Sequence, residues 1–115
     1  MNFDASFEAL VRNSFAAALA AGQPDRITQS AYESLDQQPT AVIALGKAAG
    51  AMAAAVRNRG YDGFGLVITT DENHRQIDGF NCFASAHPVP DERGLAAAIA
   101  VDNLVNSLGQ EDHLL

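Results

Sequence analysis

The sequence has little cysteine and no long hydrophobic run. Its single cysteine, Cys82, excludes an internal disulfide framework and a cysteine metal cluster. The uncharged apolar stretches are too short and too rich in alanine to span a bilayer, which excludes a membrane-spanning protein. The N-terminus carries Asp4 and Glu8 and lacks the basic start of a secretory signal. We therefore predict a cytoplasmic protein without a membrane partner.

Positive charge is also scarce. Seven lysines and arginines stand against fourteen aspartates and glutamates, so the formal net charge is −7 at pH 7. Such a chain lacks the basic face that neutralises phosphates, and nucleic acid is not expected as a partner. The length of 115 residues suits one domain. An acidic domain that binds an anionic metabolite must gather its few cations locally, and the only lysine, Lys47, is the first candidate.

Hydrophobic patterning predicts an α/β fold. Apolar runs at 40–45 and 64–70 are typical of buried strands, and an alanine-rich helix is predicted between them from residue 48 to 56. A strand, a helix and a strand with short links form a right-handed parallel unit. A third strand is predicted at about 81–86. The short polar loop before it leaves the orientation of that strand open, since a parallel crossover normally needs a dozen or more residues.

Helices are predicted on both sides of these strands, giving a mainly parallel sheet with alanine-rich helices. Asp4 or Ser6 caps the first helix, and Gly22 and Pro24 separate it from the second. Residues 111–115 are predicted to begin another strand. The predicted apolar faces are Phe7, Leu10, Val11, Phe15, Ala18 and Leu19 in the first helix, Ile27, Ala31 and Leu35 in the second, and Leu95, Ile99, Leu104 and Leu108 in the last.

Gly46 and Lys47 lie in the connection between the first strand and the helix that follows it. A cation beside the free N–H groups of a helix N-terminus makes an anion site. The phosphate loop of nucleotide-binding proteins is excluded, because Ala41 and Ala48 occupy the positions of its first glycine and its hydroxyl residue. The glycine spacing does not match the dinucleotide fingerprint either. Two interpretations remain open: Lys47 binds an anion, or it is a solvated lysine at a helix start.

His87 lies between the third strand and the last helix, followed by Pro88 and Pro90. Two prolines one residue apart stiffen this link and favour an extended conformation at His87. A histidine held at the carboxyl edge of a strand can hydrogen-bond a substrate oxygen or change its protonation near neutral pH. The alternative is a half-buried spacer beside prolines that begin a helix. His74 is a weaker candidate, and no zinc site is expected from these two histidines.

The segments 44–52 and 86–94 together resemble the N-terminal part of the glycerate 2-kinase family. Members carry the MOFRL domain and are often labelled hydroxypyruvate reductases. The resemblance implies that residues 1–115 are an incomplete N-terminal part of a large Rossmann-like, three-layer domain. It also implies phosphorylation of D-glycerate to 2-phosphoglycerate by the full-length protein, with ATP and Mg²⁺ as cofactors. The family continues with a further strand, a serine- and glycine-rich phosphate loop and a C-terminal domain, so these residues alone are expected to be inactive.

The resemblance carries the family's lysine onto Lys47, which would hold the substrate or the transferring phosphoryl group and act in catalysis. Gly46 and His87 would take part in substrate binding, and no metal ligand is implied within these residues. The segment Thr70–His74 departs from the family pattern, which leaves His74 without an implied role.

Two other functions are consistent with the residues. A small α/β anion-binding or assembly module could use Lys47 for a carboxylate without catalysis. A hydroxypyruvate reductase is less favoured, because no dinucleotide fingerprint is present. If a sheet neighbour and a second domain are missing, apolar surface that is normally covered is exposed, so a homo-oligomer is expected.

Overall fold

Residues 4–115 are described in a computed structural model, and residues 1–3 of the predicted domain lie outside that range. The chain alternates helices with strands of one sheet. The helices are α1 (Ala5–Ala21), α2 (Pro24–Glu33), α3 (Ala49–Asn58) and α4 (Glu92–Ser107), and the strands are β1 (Ala41–Leu45), β2 (Phe64–Thr70) and β3 (Phe80–Ser85).

The sheet has the order β1-β2-β3, and both strand pairs are parallel. Val42 is paired with Gly65, and Val67 with Cys82. The orientation of the third strand, which the sequence leaves open, is therefore parallel. The predicted α/β fold with a parallel sheet is confirmed.

Residues 113–115 extend this sheet on the free side of β1. Leu114 pairs with Ala41 in the parallel sense, and the Ile43 N–H donates to the Leu115 carbonyl at 2.9 Å. The predicted start of another strand is thus observed as a single bridge. The order across the sheet becomes β3, β2, β1 and then residues 113–115, which is the order of a doubly wound sheet.

The hydrophobic core lies between the sheet and α3. Ala49 and Ala53 are fully buried, and their small side chains let the helix lie close to the strands. Tyr32 from α2 closes one side of this core, whereas the predicted apolar residues Ile27 and Leu35 are largely exposed. The core consists of Tyr32, Val42, Ala44, Ala49, Ala53, Val56, Tyr61, Val67 and Phe80.

Helix α4 contacts β3 and β2 and completes a helix–sheet–helix arrangement, as the right-handed crossover rule requires for a strand that returns beside β1. Its buried residue is Ala97, while the predicted core residues Leu95 and Ile99 are exposed. The buried side runs through Ala97, Val101 and Leu104, with the last two half-buried. The predicted face was thus correct at Leu104 and Leu108, which are half-buried, and wrong at Leu95 and Ile99, because the small residue Ala97 lies on the buried side instead.

Helix α1 begins as predicted, because the Asp4 carboxylate accepts a hydrogen bond from the Phe7 N–H at 2.9 Å. The helix ends at Gly22, and Pro24 occupies the first turn of α2. None of the residues of α1 is buried against the described part of the chain. Within residues 4–115, no helix combines the length and apolar character needed to cross a membrane.

A close approach between β2 and β3 depends on Gly65. A Cβ atom at this position would lie 2.2 Å from the Phe80 ring and 2.8 Å from the Val42 carbonyl oxygen. The Phe80 ring covers the glycine and lies under the Arg57 guanidinium, 5.1 Å from ring centroid to Cζ. The Arg57 guanidinium also lies over the Tyr61 ring, 5.2 Å from Cζ to the ring centroid. It donates a hydrogen bond to the Gly63 carbonyl at 3.0 Å.

We expect Gly65→Ala to lower the free energy of unfolding by about 1–3 kcal/mol, because neither the Val42 backbone nor the packed ring can withdraw freely. Gly94→Ala is the matched control. It lies inside α4 with open space around its Cα, so alanine there should stabilise by about 0.5–1 kcal/mol. Urea denaturation at neutral pH measures the free energy of unfolding of both variants. Equal effects of the two substitutions would contradict the close approach.

A second prediction concerns Tyr61. Its buried hydroxyl donates to the Phe64 carbonyl, and burial raises the pKa of the phenol above its ordinary value although the Arg57 cation opposes the shift. A raised folded-state pKa stabilises the fold below pH 10, and the contribution is lost as pH rises through that pKa. Tyr61→Phe should cost about 1 kcal/mol at pH 7 and progressively less above pH 10. Urea denaturation of both proteins at pH 7 and above pH 10 tests this prediction. A difference in the free energy of unfolding that does not change with pH would contradict it.

Candidate functional site

The turn after β1 places Lys47 at the carboxyl edge of the sheet. Gly46 has a φ of 101°, in the region that favours glycine, and its N–H donates to the Ile68 carbonyl of β2 at 2.9 Å. The Gly46 carbonyl accepts from the Ala49 N–H at 3.1 Å, and α3 begins there. Lys47 is therefore exposed in the turn before the helix, one residue further from it than the sequence predicts.

The N-terminus of α3 has no side-chain cap. Ala48 stands at the capping position and has no side-chain acceptor to offer. Across residues 4–115, the N–H groups of Gly50 and Ala51 find no protein acceptor. Unsatisfied N–H groups and the positive end of the helix dipole beside a lysine favour a bound anion.

A cavity of about 350 Å³ lies at this helix end. One wall is Lys47 with the first turn of α3, and the other is the segment that leaves β2. That segment is fixed at its start, where Asn73 Nδ2 donates to Thr70 Oγ1 at 2.7 Å, and His74 Nε2 lies 3.4 Å from the Cys82 carbonyl. The lining residues are Lys47, Gly50, Ala51, Glu72, Asn73, His74 and Arg75.

Arg75 is the residue of this cavity that the sequence did not single out. Its side chain lies across Gly50, where a Cβ atom would be 3.0 Å from Nε. Among the described residues its guanidinium forms no ion pair. Lys47 and Arg75 thus offer two cations to the cavity against one carboxylate, Glu72. Nothing in a polar loop distinguishes this arginine from a solvated one, so the sequence carried no usable signal for it.

His87 lies at the same edge of the sheet but does not line this cavity. Because β3 is parallel to β1, both residues follow carboxyl ends of strands. Strand β2 lies between them, which separates the two strand ends by about 10 Å at 4.8 Å per strand. His87 is exposed, and the peptide bond from His87 to Pro88 is cis. Lys47 and His87 therefore share one edge of the sheet but do not line one cavity.

An ion-pair bridge joins the end of β2 to the start of α4. The Arg93 guanidinium contacts Asp71, directly after β2, and Asp91, which caps α4 by accepting from the Arg93 N–H at 3.0 Å. Hydrogen bonding to Arg93 lowers the pKa of the Asp91 carboxyl, and the two acids raise the pKa of Arg93. This exposed bridge links the end of β2 to the start of α4, the helix that follows His87.

Thr69 is a second residue that sequence reasoning missed. It lies near the carboxyl end of β2, is 3% exposed, and its Oγ1 has no hydrogen-bond partner in the described part of the chain. A buried hydroxyl without a partner is uncommon in folded proteins. As for metal ions, no cluster of three or more histidine, cysteine, aspartate or glutamate side chains within residues 4–115 is arranged to bind one.

Two proteins are similar in sequence to this chain. A D-glycerate 2-kinase of Thermotoga maritima is 32% identical over 99 residues, covering 80% of this chain and 23% of that protein. A protein of Agrobacterium vitis named "Putative hydroxypyruvate reductase" is 31% identical over 111 residues, covering 95% of this chain and 25% of its own length. The chain thus spans about a quarter of the length of these relatives.

Two solved structures share the fold. A glycerate kinase of Thermotoga maritima superposes with a TM-score of 0.88 at 29% identity, over 96% of this chain and 28% of that one. The PH0495 protein of Pyrococcus horikoshii superposes with a TM-score of 0.82 at 23% identity, over 99% of this chain and 28% of its own.

A protein-family model described as a domain of unknown function, DUF4147, matches residues 10–115. The match covers nearly the whole chain and agrees with the relatives above, which confirms the resemblance predicted from the two sequence segments. The chain belongs to the DUF4147 family and is homologous to D-glycerate 2-kinase.

Proposed function

We propose that this chain is the N-terminal portion of an ATP-dependent D-glycerate 2-kinase that converts D-glycerate to 2-phosphoglycerate in the full-length protein. The homology to a D-glycerate 2-kinase supports the parent activity. The observation that carries the proposal is the cavity at the start of α3, where Lys47, Arg75 and two unsatisfied N–H groups surround a space for an anion. Both the substrate carboxylate and a phosphoryl group are negatively charged and could occupy this space.

Lys47 is the catalytic cation in this proposal. It would hold the glycerate carboxylate or neutralise charge on the transferring phosphoryl group, and the Gly46 turn would set its position. His87 would contact substrate from the end of β3, two strands away. Since His87 lies outside the cavity, this contact requires a substrate or a further part of the protein that spans the distance between the two strand ends.

ATP and Mg²⁺ fit these residues only in part. The cavity suits one anionic group, whereas ATP also needs a phosphate cradle. Magnesium prefers carboxylates and phosphate oxygens, and residues 4–115 contain no cluster of metal-ligating side chains. In a kinase, the nucleotide and the metal would therefore be held mainly by residues outside this chain, with Lys47 facing the anion that they present.

An anion-binding module is the second candidate, because the uncapped helix and Lys47 could hold a carboxylate without any reaction. The two functions differ in turnover. The kinase releases ADP from ATP and D-glycerate, whereas the module binds D-glycerate and leaves ATP intact. A hydroxypyruvate reductase would instead oxidise a nicotinamide cofactor, and we expect no such oxidation.

The first functional prediction is that the 115-residue chain alone has no kinase activity. Phosphoryl transfer requires several groups that position and neutralise the phosphates, and these residues supply one lysine and no phosphate loop. A coupled ADP-release assay with D-glycerate, ATP and magnesium should stay at background. Sustained turnover by this chain would show that it is a complete catalyst and overturn the assignment as a portion of one.

In the full-length protein, we expect Lys47→Ala to lower kcat at least about 100-fold while the KM for ATP changes much less, because a positioned cation acts mainly on developing charge. Arg59→Ala is the control. It removes another exposed cation from the end of α3, one that pairs with Glu33 at 3.0 Å. Unchanged kcat in Lys47→Ala would leave Lys47 as a solvated lysine at a helix start.

A further inference from the structure

The Arg75 side chain lies flat across the first turn of α3. A Cβ atom at Gly50 would be 3.0 Å from Arg75 Nε, 3.5 Å from Cγ and 3.7 Å from Cδ. Because Nε belongs to the guanidinium, the positive charge itself lies over Gly50. This residue is helical and its φ is not positive, so the backbone does not require a glycine here. The glycine instead leaves the space that the arginine occupies.

The position of Arg75 is electrostatically unfavourable within the described part of the chain. The first turn of a helix carries the positive end of the helix dipole, which repels a cation. Lys47 lies at the same helix end, and Glu72 is the one carboxylate among the described residues that line the cavity. No ion pair within residues 4–115 offsets the repulsion on the Arg75 guanidinium. An anion bound at this helix end would remove it.

The charge and size of the cavity favour a carboxylate over the phosphates of a nucleotide. Two cations and one carboxylate leave one formal positive charge when His74 is counted as neutral, which matches the single charge of a carboxylate. The volume of about 350 Å³ is near the lower end of the roughly 300–1,000 Å³ of ligand sites, which suits a small acid. A guanidinium can donate two parallel hydrogen bonds to a carboxylate, whereas an ammonium acts as a point charge.

We propose that Arg75, held over Gly50, binds the carboxylate of D-glycerate at the start of α3. The inference rests on the proposed function for the identity of the substrate. The carboxylate accepts two hydrogen bonds from the guanidinium and a further one from the free N–H of Gly50 or Ala51. Of its two possible roles, Lys47 then takes the one toward the transferring phosphoryl group.

Binding of D-glycerate to the full-length protein without ATP tests the role of Arg75. In isothermal titration calorimetry, Arg75→Gln should raise the Kd about 10- to 100-fold, because charged hydrogen bonds to the carboxylate are lost. Arg75→Lys should recover only part of the affinity, since lysine lacks the planar fork. The matched control is Arg59→Gln, which removes an exposed arginine at the other end of α3 and should leave the Kd unchanged. An unchanged Kd in Arg75→Gln, or no binding of D-glycerate by the unaltered protein, would overturn the proposal.

Gly50→Ala tests the position of Arg75 without removing a charge. The added methyl would lie 3.0 Å from Nε, so the arginine side chain must shift, while alanine suits the helix. We expect the Kd for D-glycerate to rise at least about threefold, because a bidentate contact depends on position. Gly94→Ala, which adds a methyl to open space on α4, is the control and should have no effect. Equal Kd values in these two variants would refute the role of Gly50.

Steady-state kinetics of the full-length protein distinguish a carboxylate from a phosphate at Arg75. In Arg75→Gln the KM for D-glycerate should rise, whereas kcat at saturating D-glycerate should change less than about threefold. A lower kcat with a higher KM for ATP would place Arg75 on the phosphates and overturn the proposal. A lower Tm with an unchanged KM for D-glycerate would do so as well, because Arg75 would then pair with a carboxylate elsewhere in the full-length protein.

The two proposals fail in different measurements. If the unaltered full-length protein binds D-glycerate through Arg75 but releases no ADP from ATP, the proposed kinase function is wrong and the carboxylate site stands. If the protein is an active kinase and Arg75→Gln retains the Kd for D-glycerate, the kinase function stands and the carboxylate site is wrong.

Discussion

The short return from β2 to β3 constrains most of this structure. Parallel pairing requires residues 71–79 to run from the carboxyl end of β2 back to the level of Gly65, where Phe80 begins β3. That distance is about 17 Å at 3.3 Å per residue, and the link reaches about 30 Å when fully extended. After the single 3-10 turn at Asp71–Asn73, little length is left, so the remainder runs nearly straight and has no room for an α-helix.

Both ends of α3 are shaped by this return. At the carboxyl edge, the segment places Arg75 across Gly50 and so adds a second cation beside Lys47. At the amino edge, Gly79 turns the chain with a φ of 76° and lies against Arg57, where a Cβ would come within 2.0 Å of Nη2. The same tight turn places Phe80 over Gly65. The candidate cavity and the most restrictive packing in the core are therefore two consequences of one backbone path.

Local patterns in the sequence predicted the elements better than their mutual placement. The range of β2 was predicted to the residue, and the Asp4 cap and the Pro24 helix start were correct, because each depends on neighbouring residues. The orientation of β3 depended instead on the reach of an extended link, which a residue pattern does not encode. The buried side of α4 was predicted only in part, at Leu104 and Leu108, because its most buried residue is the small Ala97, which a pattern of large apolar residues does not include.

The candidate site was predicted in part for the same reason. Lys47 and the Gly46 turn follow from the strand-to-helix pattern, whereas Arg75 is brought to them by tertiary structure alone. Tertiary structure also explains how an acidic chain maintains a cationic cavity. Asp71, the acid nearest the end of β2, is paired with Arg93, which lowers the negative potential at this edge. Glu72 then remains as the one carboxylate in the cavity opposite Lys47 and Arg75, so the local charge favours an anion although the net charge of the chain is −7.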